Sequence, residues 1–455
     1  MKNKMITISI VCIVIVAGLA AAVYLSSRPS EEEEKGPARF VLEVYGNADL
    51  DEDIDEEDLD YVRSIISGEL NTTEYADANN DGEINIADVA QIEDIIAHEQ
   101  SILWIKDGNG NKVKVDYPIQ KIGVEYLSNA ELVRILGVQN LVAGLDFAPY
   151  KLKWFYFPED NGAIVNMNNM FNPDYEFLTE QDFDLILTFS NAVTEKQEKL
   201  PNTNIIFLGL YWPNVIIPED SRFLAGVMKA GYIFGKEDRA ADYVDWLLGL
   251  RDMIYARTSN LTAEERPSVL MTSYNKYFRD GTTTNCATYT MIDPLSQMCI
   301  LAGGDPIAKD LPDWSGANNV YSTTVDIEWV MTKNPEFIFT HTVRYTYGGA
   351  IMTPAYGYDM NDSAEMASAV SAMLSRPLLQ NTDAYVSSNL YIIAGDFRNN
   401  AAGGILGAVY LAKILHPDLF SDLDPESIHQ EYVTSWMGLS YDLSTHGVFI
   451  YPATD

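Results

Sequence analysis

The chain has 455 residues, 47% of them hydrophobic, so it can bury real cores and is too long for one compact domain. Sixty-six acidic against 30 basic residues give a formal charge of −36, which repels nucleic acid and anionic headgroups and suits calcium or a basic partner. Three cysteines are too few for a disulfide scaffold or a cysteine-rich metal site.

Lys2 and Lys4 precede an uncharged run from Met5 to Ser27, followed by Arg28 and the block Glu31 to Glu34. As a helix, Met5 to Leu25 would span about 31 Å, one hydrocarbon thickness. Lysines before the run and acids after it orient the N-terminus inside and the rest of the chain outside. Ala20-Ala21-Ala22 also offers a cleavage site, so residues 1–27 read as a transmembrane anchor or a signal peptide, and 28–44 as an acidic linker. Either way the body is extracellular: held on the outer face of the membrane, or secreted if the segment is cleaved. Cys12 lies inside the run with no small-residue lipoprotein box before it, and reads as membrane-buried.

Two acidic loops follow, at 47–58 and 77–88, starting 30 residues apart. Oxygen side chains stand at loop positions 1, 3, 5 and 12: Asn47, Asp49, Asp51 and Asp58, then Asp77, Asn79, Asp81 and Asp88. Position 7 offers a backbone carbonyl from Asp53 and Glu83, and position 8 an apolar pin, Ile54 or Ile84. This spacing lets a tight loop surround a hard cation with oxygens. Each loop runs into a helix of matching apolar face, Leu59, Val62, Ile65 and Ile66 against Val89, Ile92, Ile95 and Ile96. Two loops in register favour two calcium sites over two plain acidic turns. Glu52 replaces the sharp-turn glycine that the second loop has as Gly82, so the first site is expected to be weaker. Residues 45–99 resemble a dockerin, with Asp at loop position 12. That resemblance implies a cohesin-type partner read through positions 10 and 11, here Glu56-Glu57 and Ile86-Ala87 in place of Ser-Thr pairs.

From Ile102 the pattern changes. Ile102 to Lys106 and Lys112 to Val115 flank a turn rich in Gly and Asn, predicting a hairpin. Apolar strands at 121–124, 141–145, 185–188 and 204–208 then alternate with helix-like segments at 129–136 and 174–180, which argues for a parallel sheet covered on both faces. A long helical stretch from about Asp220 to Arg257 is interrupted at Gly235. A second α/β unit has strands at 268–272, 336–340 and 390–394 and closes on helices near 403–415 and 425–438. The expected fold is therefore α/β, with one lobe at 102–218, a linking helix at 219–266 and a second lobe at 267–455.

Several segments in order carry a family resemblance: Tyr117 to Val124, Glu131 to Val138, Asp182 to Leu187, Phe234 to Ala240, Leu301 to Asp305 and Val325 to Val330, closed by Asn334-Pro335-Glu336. Each is weak alone, and their order and spacing make the match. Together they resemble the helical-backbone class of ABC-importer binding proteins for ferric siderophores, haem and cobalamin. The resemblance implies two Rossmann-like lobes joined by a long helix, a non-enzymatic role, and a permease partner met by one glutamate per lobe, here Glu176 and Glu328.

Ligands of such sheets lie beyond the strand C-termini. The candidates there are Tyr126, Trp154, Tyr156 and Trp212 in the first lobe, and Tyr274, Lys276, Tyr277, Trp314, His341, Arg344, Tyr345 and Arg398 in the second. Basic groups would bind a carboxylate- or phosphate-bearing ligand and aromatics would cover its planar parts, though aromatics are 11% of the chain and some belong to cores. This points to a small-molecule metal complex, an anionic iron chelate ahead of cobalamin or haem. Cys286 and Cys299 could pair in the oxidising exterior or remain buried thiols. The rival classes are a dockerin-bearing polysaccharide hydrolase, which needs two carboxylates across an aromatic groove, and a structural adhesion module. No Gly-x-Ser-x-Gly, phosphate loop or His-Glu-x-x-His motif supports an enzyme, and the five histidines are dispersed.

Overall fold

The computed structural model describes residues 38–189, 192–210, 214–216, 222–274, 276–311, 322–342, 356–358, 360–402 and 404–453. The expected anchor or signal segment at 1–27 and the linker up to residue 37 lie outside them. Among the described residues no helix is long and apolar enough to cross a membrane.

Helices α1 (Glu56–Ser67) and α2 (Ile86–Ile96) begin alike because their sequences do. Asp55 and Asn85 accept from the backbone N–H two residues on, at 2.7 and 2.8 Å, while Asp58 and Asp88 reach back to the cap N–H, each at 2.8 Å. Leu59 and Val62 of α1 and Val89, Ile92 and Ile95 of α2 are buried. This unit is not a bead on a string. Its core belongs to the same buried cluster as Leu42, Val44, Leu103, Ile105, Val115 and Tyr232. Val44 bridges Ile105, so the chain entering the first loop adds an edge to the hairpin formed by β1 (Ile102–Lys106) and β2 (Lys112–Asp116). The buried Lys229 ammonium joins Glu43 Oε2 and the Lys106 carbonyl, both at 2.8 Å, and the Ile54 N–H donates to Tyr232 Oη at 2.6 Å.

The first lobe carries a wholly parallel sheet, ordered β5 (Val165–Asn168), β4 (Val142–Asp146), β3 (Ile122–Val124), β6 (Leu185–Thr188), β7 (Asn204–Phe207). Its central strands are buried on both faces and accordingly read as unbroken apolar runs. Helix α3 (Leu127–Ile135) follows β3, and α4 (Tyr175–Gln181) leads into β6. The expected linking helix is two helices, α5 (Arg222–Phe234) and α6 (Glu237–Thr258), parted at Gly235, whose φ of +60° suits a residue without Cβ.

The second sheet is mixed. Strands β8 (Ser268–Ser273), β12 (Phe337–Thr342) and β13 (Leu390–Ala394) run parallel, as their apolar sequences suggest. Around them the sequence reading missed β9 (Asn285–Tyr289), β11 (Ser322–Asp326) and β14 (Ile450–Tyr451), all antiparallel to their neighbours, and the short β10 (Asp305–Pro306), which joins β8 in parallel. Thr-rich edge strands such as Ser-Thr-Thr-Val-Asp lack the apolar run that marks a central strand. The lobes meet in an aromatic seam: Phe155 stacks on Tyr358 at 3.9 Å and meets Tyr441 edge-on at 4.9 Å. Cys286 and Cys299 are buried unpaired thiols, which decides between the two options the sequence left open.

Candidate functional site

At the C-terminal ends of β3 and β6 the first lobe buries a closed ion-pair network. Lys196 Nζ lies 2.6 Å from both oxygens of Glu125 and 2.8 Å from Thr188 Oγ1. Glu125 Oε2 also accepts from the Thr188 hydroxyl at 2.7 Å and the Phe189 N–H at 3.1 Å. Asp146, at the end of β4, is fully buried; its Oδ2 has no hydrogen-bond partner among the described residues, and burial first, then the Glu125 charge, raises its pKa well above the carboxylate range. Above this floor lie aromatics. Tyr126, held at φ +72°, stacks on Phe189 at 3.9 Å, and Phe171 meets Phe189 edge-on at 6.0 Å. A non-glycine residue in the left-handed region is strained, a cost that recurs at binding sites.

The strand ends of the second lobe are built differently. Asp293 caps the helix Pro294–Leu301 through the Leu295 N–H and pairs with Arg398, whose Nη2 lies 2.6 Å from Oδ2. Burial pushes Asp293 up and Arg398 partly offsets it. The guanidinium sits over the Tyr289 ring at 5.3 Å, and Tyr289 Oη contacts His341 Nδ1 at 3.0 Å. Burial first, then the Arg398 charge, lowers the His341 pKa to about 3, so the ring is neutral. His341 Nε2 and Thr342 Oγ1 are buried with no hydrogen-bond partner among the described residues.

The predicted ligand residues divide accordingly. Tyr126, His341 and Arg398 stand in these two clusters. Tyr274 is half-buried just past β8. Tyr277 is 2% exposed and packs in the core against Phe278, and Tyr156 is fully buried in the seam with its hydroxyl on Glu131 at 3.0 Å, so neither presents a surface to a ligand. Trp154, 48% exposed, lies 6.5 Å from Tyr441 at the seam's edge. Trp212, Trp314, Arg344 and Tyr345, and the side chain of Lys276, lie outside the described residues. Sequence reasoning missed Phe171, Phe189 and Asp146. The strand-end rule would have reached Phe189 and Asp146 had it been applied to every strand, and Phe171 had β5 been recognised.

Glu176 and Glu328 occupy equivalent places. Each is exposed in the first turn of a seven-residue helix, α4 and Ile327–Lys333. Each helix ends on a left-handed residue, Asp182 or Asn334, and leads into a central strand of its sheet.

In the acidic loops, side-chain oxygens accept backbone N–H groups. Asn47 and Asp49 receive the Asp51 N–H, Asp51 receives that of Asp53, and Asp58 Oδ1 those of Ala48 and Asp49. The second loop repeats this. Asp77 and Asn79 receive the Asp81 N–H, Asp81 receives that of Glu83, and Asp88 that of Asn79. Leu50 and Asn80, both at position 4, share a left-handed backbone. At position 6 the loops part: Gly82 takes φ +96°, whereas Glu52 pairs with Arg39 at 2.6 Å. Among the described residues no three His, Cys, Asp or Glu side chains are gathered as a metal cluster. The donors nonetheless suit a hard cation in kind, being carboxylates, amides and carbonyls. Asp58 and Asp88 are buried, and desolvation, with neighbouring acids adding, pushes Asp58 up to about 8 and Asp88 in the same direction. A bound cation would reverse that push.

Comparison with known proteins follows this geometry. No curated protein matches the chain. Among solved structures it is similar to the TroA-like periplasmic binding protein FepB from Veillonella parvula, at 16% identity and TM-score 0.59, over 76% of this chain and 98% of that one. It is also similar to MolA of Haemophilus influenzae bound to molybdate (16%, TM-score 0.54, 74% and 99%) and to Helicobacter pylori CeuE with Ni(II) bound (15%, TM-score 0.54, 74% and 96%). At these identities the likeness shows the fold. A family profile described as periplasmic binding protein matches residues 126–396, more than half of the chain and strands of both sheets, and the chain therefore belongs to the periplasmic binding protein family, the non-enzymatic components that bind small molecules for ABC permeases.

Proposed function

We propose that this protein captures a metal chelate outside the cell, a ferric siderophore or similar iron complex in the first place, and delivers it to an ABC permease. The observation that carries the reading is the unequal chemistry of the two sets of strand ends. One offers stacked aromatics, Tyr126 and Phe189, and the other two buried polar atoms that lack a partner among the described residues, His341 Nε2 and Thr342 Oγ1. A chelate has both an apolar organic shell and polar groups at its centre, and metal-containing ligands stand in two of the similar structures, molybdate and Ni(II). Native mass spectrometry of protein purified from its own cells tests this. A bound iron chelate supports it; a corrinoid or porphyrin moves the ligand within the same class; tight binding of an oligosaccharide overturns it.

Docking is assigned to Glu176 and Glu328, supported by their equivalent exposed positions at the starts of equivalent helices. Reversing both to Arg should abolish transport while leaving ligand affinity and thermal stability within measurement error, since exposed substitutions usually change stability by under about 0.5 kcal/mol. Equal loss of ligand binding would sink the assignment. The loop–helix unit is read as dockerin-like, with Asn47, Asp49, Asp51, Asp53 and Asp58, and Asp77, Asn79, Asp81, Glu83 and Asp88, as the calcium donors. Its exposed Ile86 and Ala87 are available to a cohesin-type partner, and the N-terminal segment holds the whole at the membrane.

A further inference from the structure

One buried carboxylate has no place in the ligand site or the docking faces. Glu131, on α3 of the first lobe, is 1% exposed. Its Oε2 accepts the Ala401 N–H at 2.7 Å and the Tyr432 hydroxyl at 2.6 Å, both from the second lobe. Its other oxygen accepts the Tyr156 hydroxyl from its own lobe at 3.0 Å. The Ala401 backbone is held at its carbonyl too, because the Tyr243 hydroxyl of the linking helix α6 donates to it at 2.9 Å. First lobe and linking helix thus converge on a single residue of the second lobe, Ala401.

Neighbouring bonds run the same way. Arg134, one turn along α3, donates to the Met437 carbonyl at 2.9 Å and to the Tyr156 carbonyl at 2.8 Å. Arg239 of α6 ties Ile135 of the first lobe, at 3.0 Å, to Ser435 and Trp436 of the second, at 2.8 and 3.1 Å. Both arginines act on backbone carbonyls, whereas Glu131 is the acceptor that fixes an N–H and a hydroxyl of the opposite lobe on one oxygen atom. That arrangement fixes direction as well as distance.

We infer that Glu131 is the positioning residue of the inter-lobe seam: its Oε2 locks the segments around Ala401 and Tyr432 to helix α3 and so sets how the two sets of strand ends are held relative to each other. The inference needs only the two-lobe fold, so it stands or falls separately from the identity of the ligand.

Hydrogen–deuterium exchange on the full chain tests it. In Glu131→Leu, which keeps bulk and removes the acceptor, exchange in peptides spanning 397–402 and 430–437 should rise about tenfold or more, the loss expected when buried donors are left without their acceptor. Peptides covering β6 and β12 should be unchanged. Glu131→Gln should restore protection, because its amide oxygen can take both donors at the Oε2 position while its NH2 donates to the Tyr156 hydroxyl. A uniform rise across both sheets, no rise at all, or failure of Gln to rescue would each overturn the inference. Should the Leu variant not fold, Tyr432→Phe removes one donor alone. It should give the same local pattern at smaller amplitude, and a global or absent response counts against the proposal.

Discussion

The two lobes each bury an ion pair beneath their strand ends, and the pairs are finished to different degrees. In the first lobe Lys196 and Glu125 are 3% and 2% exposed, and every oxygen of Glu125 has a donor. In the second, Arg398 and Asp293 are 11% and 0% exposed, and the cluster they anchor leaves His341 Nε2 and Thr342 Oγ1 without partners among the described residues. A fully satisfied network can only hold shape; one with open buried atoms carries a standing cost that a ligand could relieve. The difference teaches that the first lobe's pair is itself closed beneath aromatics, with an open atom only beside it at Asp146 Oδ2, while the second lobe's pair borders two open polar atoms.

Breaking the closed network should have the largest effect. Lys196→Met leaves Glu125 buried with only the Thr188 hydroxyl and Phe189 N–H, and should lower unfolding stability by about 3–5 kcal/mol in urea melts. Adding Glu125→Gln to that variant should recover much of the loss, since no uncompensated charge then remains. Recovery is the diagnostic result: without it, Lys196 contributes through packing and not through charge. Arg398→Met should cost less, about 2–3 kcal/mol, because Asp293 keeps the Leu295 N–H and the site is slightly more open. His341 should then rise from its depressed pKa, readable by NMR, yet stay low, because burial is the larger of the two causes. A loss as large as that for Lys196 would erase the contrast between the lobes.

Much of the frame is legible in the chain itself. Runs such as Leu185-Ile186-Leu187 and Leu390 to Ala394 announce buried parallel strands, and the loops repeat in register because their caps and apolar faces repeat. Val-Asn-Met-Asn at β5 and Ser-Thr-Thr-Val-Asp at β11 escape, since edge strands pair through backbone and need no apolar run. The seam was illegible for a different reason. Glu131 meets Tyr432 across 301 positions, and inside Ala-Glu-Leu-Val-Arg-Ile-Leu it looks like any solvated helix residue. Tyr156 reads as a cleft aromatic because strand order places it near a strand end, whereas its burial depends on which surface the other lobe covers.

The seam carboxylate Glu131 differs from both pairs, for among the described residues no cation is hydrogen-bonded to it. Around Glu131 stand Asp396, which repels it, and the phenols of Tyr156, Tyr243, Tyr358 and Tyr432, while Arg134 gives its guanidinium to two backbone carbonyls and Glu159. Burial is the largest cause raising its pKa, to about 7, with the Tyr432 and Ala401 donors pulling the other way. The sign follows from linkage: an acid whose folded pKa lies above its unfolded value contributes stability that is complete below about 4.5 and is lost as pH climbs through about 7. Glu131→Gln has no such loss. Its stability relative to the natural chain should therefore grow between pH 5 and 8 and level off beyond, by on the order of 2 kcal/mol. Thermal melts at matched pH read this difference, and titrations common to both chains cancel. A difference that stays flat across that range would mean the seam carboxylate is ionised throughout, and that its three donors outweigh its burial.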